Sequence, residues 1–92
     1  MFLNMATAEP LPGKERELLE RMKNFAEVLK PMPGLVNVFV LHEEGTGNLV
    51  GLSIWQDKES FQRGMEKADS GNVPSKESVS KERPKIRQFT EV

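Results

Sequence analysis

The segment LVGLSIWQDKESF, residues Leu49–Phe61, contains the features that decide the fold of this chain of 92 residues. Its first part, Leu49–Trp55, is aliphatic, β-branched and aromatic, which predicts a strand. Asp57 is a residue type preferred at helix N-caps. Phe61 and Met65 follow at helical spacing. The segment therefore predicts a strand that ends at Trp55 and leads directly into a helix.

The region before this segment predicts a strand that pairs with it. Leu35–Leu41 (LVNVFVL) is again rich in β-branched and apolar residues. The cluster Glu43–Asn48 contains two glycines and separates the two runs. Two strands joined by a short Gly-containing loop form an antiparallel hairpin.

The remaining elements are predicted from periodicity and from breaks at Pro and Gly. Phe2–Ala8 predicts a first strand, and Lys14–Lys30 carries an apolar stripe at helical spacing. Asp69–Pro84 is polar and predicts a connector, with one helical turn near 75–80, after a second helix that stops at Gly71. Lys85–Val92 predicts the last strand. The order is β-α-β-β-α-β, typical of an α+β, ferredoxin-like fold with a four-stranded antiparallel sheet.

The two central strands predict a homodimer. Val38–Leu41 and Leu49–Trp55 place apolar groups on both faces of the sheet, and such a sheet needs cover on both faces. Two helices from this topology cover one face only. A second copy related by two-fold symmetry covers the other, so we expect two sheets to face each other in a dimeric α+β barrel.

Composition excludes several classes of function. A net charge of −1 lacks the basic surface of nucleic-acid binders. The chain contains no cysteine, which excludes thiolate catalysis and thiolate metal sites. No apolar run is long enough for a membrane span, and the N-terminus lacks a signal-peptide pattern. We expect one cytoplasmic domain over residues 1–92, with no nucleic-acid or membrane partner.

Short motifs resemble those of the antibiotic-biosynthesis-monooxygenase-like family of dimeric α+β barrels. Pro33-Gly34-Leu35 precedes the second strand as in that family, and Trp55-Gln56-Asp57 partly matches its Trp-Glu-Ser before the second helix. Pro12-Gly13-Lys14 fits its usual start of the first helix. The resemblance spans the chain from Phe2 to Val92 and implies the same dimeric barrel.

The resemblance does not carry over a catalytic set. Quinone-forming members use no cofactor and have an Asn and a Tyr at positions that correspond to Gly51 and Phe61. Haem-degrading members have Asn, Trp and His at positions that fall near Ala6, Gly64 and Pro74. We therefore expect no cofactor and no metal, and the catalytic residues are unknown.

Six residues are candidates for contact with a small hydrophobic or aromatic ligand. Trp55 offers a planar ring with an indole N–H, Asn4 offers an amide on the first strand, and His42 offers the one imidazole of the chain. Apolar side chains are expected to line a cavity between helices and sheet: Phe39, Phe61 and Met65. For each candidate the alternative is an ordinary core or surface residue.

Three functions from different classes remain open. The first is a cofactor-independent monooxygenase-type oxidoreductase, or a related enzyme, acting on a small planar hydrophobic molecule. The second is a non-catalytic ligand-binding dimer that keeps the barrel without the chemistry. The third is a regulatory module of the amino-acid-sensing ACT type, which shares the topology and a Pro-Gly turn.

Overall fold

The computed structural model describes residues 1–71 and 80–92. Four strands and two helices occur in these ranges. In chain order they are β1 (Phe2–Ala8), α1 (Glu15–Leu29), β2 (Leu35–His42), β3 (Leu49–Trp55), α2 (Lys58–Gly71) and β4 (Lys85–Thr90).

The predicted order of elements is confirmed, with small differences at the ends of strands. β2 includes His42 because that residue still pairs with Leu49. β4 ends at Thr90 rather than Val92, since its pairing with β1 runs out opposite Phe2. Most of the helical turn predicted near 75–80 lies outside the described residues.

The four strands form one antiparallel sheet in the order β2-β3-β1-β4. Alternation of side chains along each strand separates the sheet into two faces. Phe2, Asn4 and Ala8 are buried on the face that packs under the helices. We call this the helix face, and the opposite one the open face.

The packing between helices and sheet centres on Trp55, which is completely buried. It groups with Phe2, Leu29 and Ala68, and the Phe61 ring meets the indole edge-on at 6.0 Å between centroids. A second buried cluster joins Ala8, Leu18 and Leu49 near the other end of the strands. The two clusters hold α1 and α2 against the same face of the sheet.

The second helix starts as its sequence predicts. The Asp57 carboxylate accepts a hydrogen bond of 2.7 Å from the Ser60 backbone N–H, which is the N-cap interaction. The Gln56 N–H donates to the Gly34 carbonyl at 2.8 Å, so the Pro33-Gly34 turn is fastened beside this N-terminus. Gly34 has a φ of +88° and faces the Ser60 side chain so closely that no Cβ fits between them.

The open face is mostly apolar and has no helix over it in the described part of the chain. It also carries Thr7, Lys85 and Arg87, and the Arg87 guanidinium lies over the Phe89 ring at 5.5 Å. The apolar side chains of this face come from alternating positions of all four strands, including Leu3, Met5, Phe39, Leu41, Val50, Leu52, Ile54 and Phe89. Three of them at the two edge strands are exposed: Phe39, Leu41 and Phe89. None of the described helices has the length and hydropathy needed to cross a bilayer.

Candidate functional site

Small residues on the helix face leave a cavity between the sheet and the helices. Ala6 and Gly51 are directly paired across β1 and β3, so two neighbouring positions of the sheet present almost no side chain. The space above them measures about 280 Å³. It is lined mostly by apolar groups from α1, the sheet and α2, among them Leu18, Met22, Phe25, Leu29, Val38 and Met65.

Two polar residues of the sheet, Asn4 and Ser53, line this cavity from one row across the strands. Asn4 pairs with Ser53 on one side and with Gln88 on the other. Asn4 and Ser53 are buried, with 7% and 5% exposed, yet both line the cavity. Gln88 Nε2 donates a hydrogen bond of 3.1 Å to Asn4 Oδ1. In the described ranges the Ser53 hydroxyl has no hydrogen-bond partner, and the bond from Gln88 is the single hydrogen bond of the Asn4 side chain.

Arg21 is the one residue with an ionisable side chain among the described residues that line the cavity. Within residues 1–71 and 80–92, no three His, Asp or Glu side chains are grouped so that they could hold a metal ion. The cavity can therefore enclose an apolar molecule and donate hydrogen bonds to it, but its described lining offers no carboxylate or imidazole as a base.

Trp55 and Phe61, two of the predicted ligand contacts, lie in the core beside the cavity rather than in its wall. Trp55 is 0% exposed, and Gly64 packs against its ring. The Trp55 Nε1–H is the one fully buried polar side-chain atom in the described ranges without a hydrogen-bond partner. An unpartnered buried donor costs about 1–3 kcal/mol of stability.

The other four candidates separate into two groups. Asn4 and Met65 line the cavity from the sheet and from α2. Phe39 also borders it, but its pairing with Leu52 places its side chain on the open face. His42 is exposed at the end of β2 and does not line the cavity.

The sequence alone did not assign a role in the site to three residues. Gly51 and Ser53 line the cavity, and Gln88 contacts the lining residue Asn4 through a hydrogen bond. Gly51 carried a signal, because a glycine inside a strand often marks close approach of a ligand or another backbone. Ser53 and Gln88 carried none. Their proximity to Asn4 depends on the register of β3 and β4 against β1.

The class of protein is a ferredoxin-like α+β domain with a partly open, mostly apolar cavity between one sheet face and its helices. A family model, antibiotic biosynthesis monooxygenase, matches residues 1–68. The chain belongs to this family, as the Pro-Gly turn and the Trp at the end of β3 indicate. No curated protein matches the sequence.

Solved structures of similar fold cover nearly the whole chain. Protein PA3566 from Pseudomonas aeruginosa has a TM-score of 0.81 and 14% identity, covering 99% of this chain and 93% of its own. The haem degrader MhuD from Mycobacterium tuberculosis, with two haems bound, has a TM-score of 0.76 and 20% identity, covering 100% and 96%. A Streptomyces coelicolor monooxygenase in complex with nanaomycin D has a TM-score of 0.71 and 16% identity, covering 99% and 87%. At these identities the similarity establishes the fold.

Proposed function

We propose that this protein binds a small planar hydrophobic molecule in the cavity above Ala6 and Gly51, and acts on it as a cofactor-independent oxygenase. The observation that carries the proposal is the cavity itself, which is lined mostly by apolar groups of the sheet and helices, is open on one side and measures about 280 Å³. Ligand pockets typically measure about 300–1,000 Å³. The cavity lies just below this range, which favours a molecule of two or three fused rings.

The proposed reaction needs no external reductant. An aromatic ketone with an activated methylene, such as anthrone, loses its two methylene hydrogens and gains one oxygen atom from O2, which gives a quinone. The second oxygen atom leaves as water together with those two hydrogens. The methylene carbon supplies all four electrons. The protein's contribution is to exclude water, orient the ring and stabilise charge that develops on the ketone oxygen.

The proposed working unit is a homodimer joined through the open face. Exposed apolar side chains from both edge strands support this arrangement, since a face of this kind on a soluble protein marks an interaction surface. A second copy presents the same apolar surface, and two-fold symmetry matches the two faces to each other. The cavity lies on the helix face, so it stays outside such an interface.

Haem is a poor fit as a substrate. The ring of Trp55 occupies the space beside Gly64, and a Cβ at Gly64 would already lie 2.7 Å from Trp55 Cζ3. The position that corresponds to the Trp of haem-degrading relatives therefore has no room for a large side chain. The position that corresponds to their His is Pro74, which lies outside the described residues.

A second candidate is binding without catalysis. It is favoured by the described lining of the cavity, where Arg21 is the one ionisable side chain and no carboxylate or imidazole can take the methylene proton. Such a protein would carry or sequester a hydrophobic molecule with the same cavity.

Incubation with anthrone under oxygen distinguishes the two candidates. Oxygenation predicts quinone absorbance that rises faster than in buffer and slows in Ala6→Val, which fills the cavity. Binding without a rate above buffer supports the second candidate. Absence of binding by anthrone, with no rate, contradicts both. Thr7→Val is the matched control because Thr7 adjoins Ala6 in sequence but faces away from the cavity.

A further inference from the structure

Asn4 and Ser53 present unused hydrogen-bonding groups to the cavity from neighbouring strands. They are directly paired across β1 and β3 on the helix face. Side chains at such paired positions have Cβ atoms about 5 Å apart. Both are more than nine-tenths buried, and both line the cavity. Unlike Trp55 Nε1, the Asn4 Nδ2 and Ser53 Oγ atoms, which are unpartnered within the described ranges, are not fully buried, so both atoms are accessible to a molecule in the cavity.

Gln88 decides which end of the Asn4 amide is available. The Gln88 Nε2–H donates to Asn4 Oδ1 at 3.1 Å, so the carboxamide oxygen of Asn4 is engaged. An asparagine amide has one acceptor oxygen and two N–H donors. With its oxygen engaged by Gln88, Asn4 retains its Nδ2–H donors. Ser53 adds a hydroxyl that rotates to donate as well.

We propose that Asn4 and Ser53 form a two-donor site for the carbonyl oxygen of the ligand, and that Gln88 is the positioning residue that sets its polarity. This inference rests on the proposed function, because it assigns the polar recognition of the same planar ligand. The ligand class becomes a fused-ring aromatic ketone or quinone rather than an aromatic hydrocarbon. In the oxygenase reaction a hydroxide ion from solvent takes the methylene proton and becomes water, and the same two donors stabilise the enolate oxygen that forms.

Three ligands of nearly identical shape test the polarity of the site. Fluorene, 9-fluorenone and carbazole share the three-ring outline, but the central bridge is CH2, a carbonyl acceptor or an N–H donor. We expect wild-type protein to bind fluorenone about tenfold more tightly than fluorene or carbazole, because two donors face its carbonyl oxygen and each hydrogen bond replaces one to water with a modest net gain. Asn4→Ala and Ser53→Ala should each reduce this preference about three- to tenfold and leave fluorene affinity nearly unchanged.

Gln88→Glu tests whether Gln88 orients the Asn4 amide. If Gln88 had only a structural role, this substitution would not change which ligand the cavity prefers. A carboxylate accepts but does not donate, so Asn4 must turn its Nδ2 toward Glu and its oxygen toward the cavity. Preference should then shift from fluorenone to carbazole. Gln88 is exposed on β4, which makes this variant tolerable even where Asn4→Ala fails to fold.

The outcomes separate this inference from the function on which it rests. Equal binding of all three ligands by wild type and by Gln88→Glu overturns the two-donor site and leaves the planar-ligand cavity standing. If none of the three ligands binds wild-type protein, the proposed cavity function fails and the inference fails with it. If wild type prefers fluorenone and Gln88→Glu prefers carbazole, the result supports both the two-donor site and the planar-ligand cavity.

Discussion

Gly64 on α2 lies directly against the six-membered ring of Trp55, close enough that the helix tolerates no side chain at that position. A Cβ built there meets Trp55 Cζ2 at 3.5 Å and Cζ3 at 2.7 Å, and the second distance is too short for a real contact. The glycine that weakens α2 as a helix former is therefore what allows Trp55 to fill the core. The two residues form one packing unit at the junction of sheet and helices.

Gly64→Ala should destabilise the protein by about 1–3 kcal/mol because overpacking outweighs the gain in helix propensity. In a Trp55→Phe background, the distal ring atoms that meet the new Cβ are absent. The same Gly64→Ala change should then cost much less or become stabilising. Urea unfolding of the wild type, the two single variants and the double variant measures this coupling. An equal effect of Gly64→Ala in both backgrounds would show that the contact does not limit packing.

Gly34→Ala should destabilise the protein more than Gly45→Ala, although the two glycines have nearly the same backbone conformation. Their φ values are +88° and +86°. Each alanine incurs the strain of a left-handed conformation, on the order of 1 kcal/mol. Only Gly34 also faces the Ser60 side chain, while a Cβ at Gly45 meets no atom within 4 Å.

Thermal denaturation of the two variants measures how much of the destabilisation at Gly34 comes from the clash with Ser60. Adding Ser60→Gly to Gly34→Ala removes the Ser60 atoms that clash and should recover part of the difference. If Gly34→Ala and Gly45→Ala lower the midpoint equally, close packing of the Pro-Gly turn on α2 contributes nothing to stability.

The N-cap of α2 should make stability depend on pH in the acid range. Hydrogen bonding to Ser60, first to its backbone N–H, lowers the pKa of Asp57 below its ordinary value of 3.8. A carboxyl group whose pKa is lower in the folded state stabilises that state above the unfolded pKa. This contribution disappears as pH falls through the folded pKa.

Asp57→Asn is the matched control because Asn can accept the same cap hydrogen bond but does not titrate. At neutral pH the wild type should unfold at a higher urea concentration than Asp57→Asn. This difference in urea midpoint should disappear below about pH 4. A gap that stays constant down to pH 2.5 would mean that the charged carboxylate adds nothing to the cap.

A charge added to the open face should weaken the proposed dimer. Leu41 is 43% exposed on this face and Val28 is 38% exposed on α1. Leu41→Lys should weaken self-association at least tenfold, since it places an unpaired charge in an apolar interface. Val28→Lys should leave association unchanged. Light scattering over a dilution series measures the mass, and a wild-type particle of 10.4 kDa at all concentrations contradicts the dimer.

The sequence predicts the fold well because each element is marked locally. Strand composition, the Pro-Gly turns and the Asp57 cap all act within a few residues of the elements they define. The cavity is different. Its floor depends on Ala6 facing Gly51 across two strands, and its polarity depends on Gln88 reaching Asn4, 84 residues away in the chain. Such relationships follow from strand register, which local patterns do not determine.

Trp55 shows that local sequence patterns also do not determine which aromatic side chains are buried. A planar ring with an N–H is the strongest candidate for ligand contact in the sequence, yet its ring packs among Phe2, Phe61 and Gly64. Composition indicates that an aromatic residue is present but not whether the fold exposes it. The residue that matters most for space is the one with no side chain, Gly51.

The most direct test of the cavity is a titration of fluorene against wild type, Gly51→Val and the control Thr7→Val. Gly51 is the better position to fill because its Cβ would point toward Met22 Cε, 3.5 Å away, at the cavity floor. Binding can be followed by fluorescence of Trp55, the one tryptophan in the chain. We expect saturable binding of fluorene by wild type and Thr7→Val, and an affinity at least tenfold lower in Gly51→Val. Equal affinity in all three proteins would contradict this expectation.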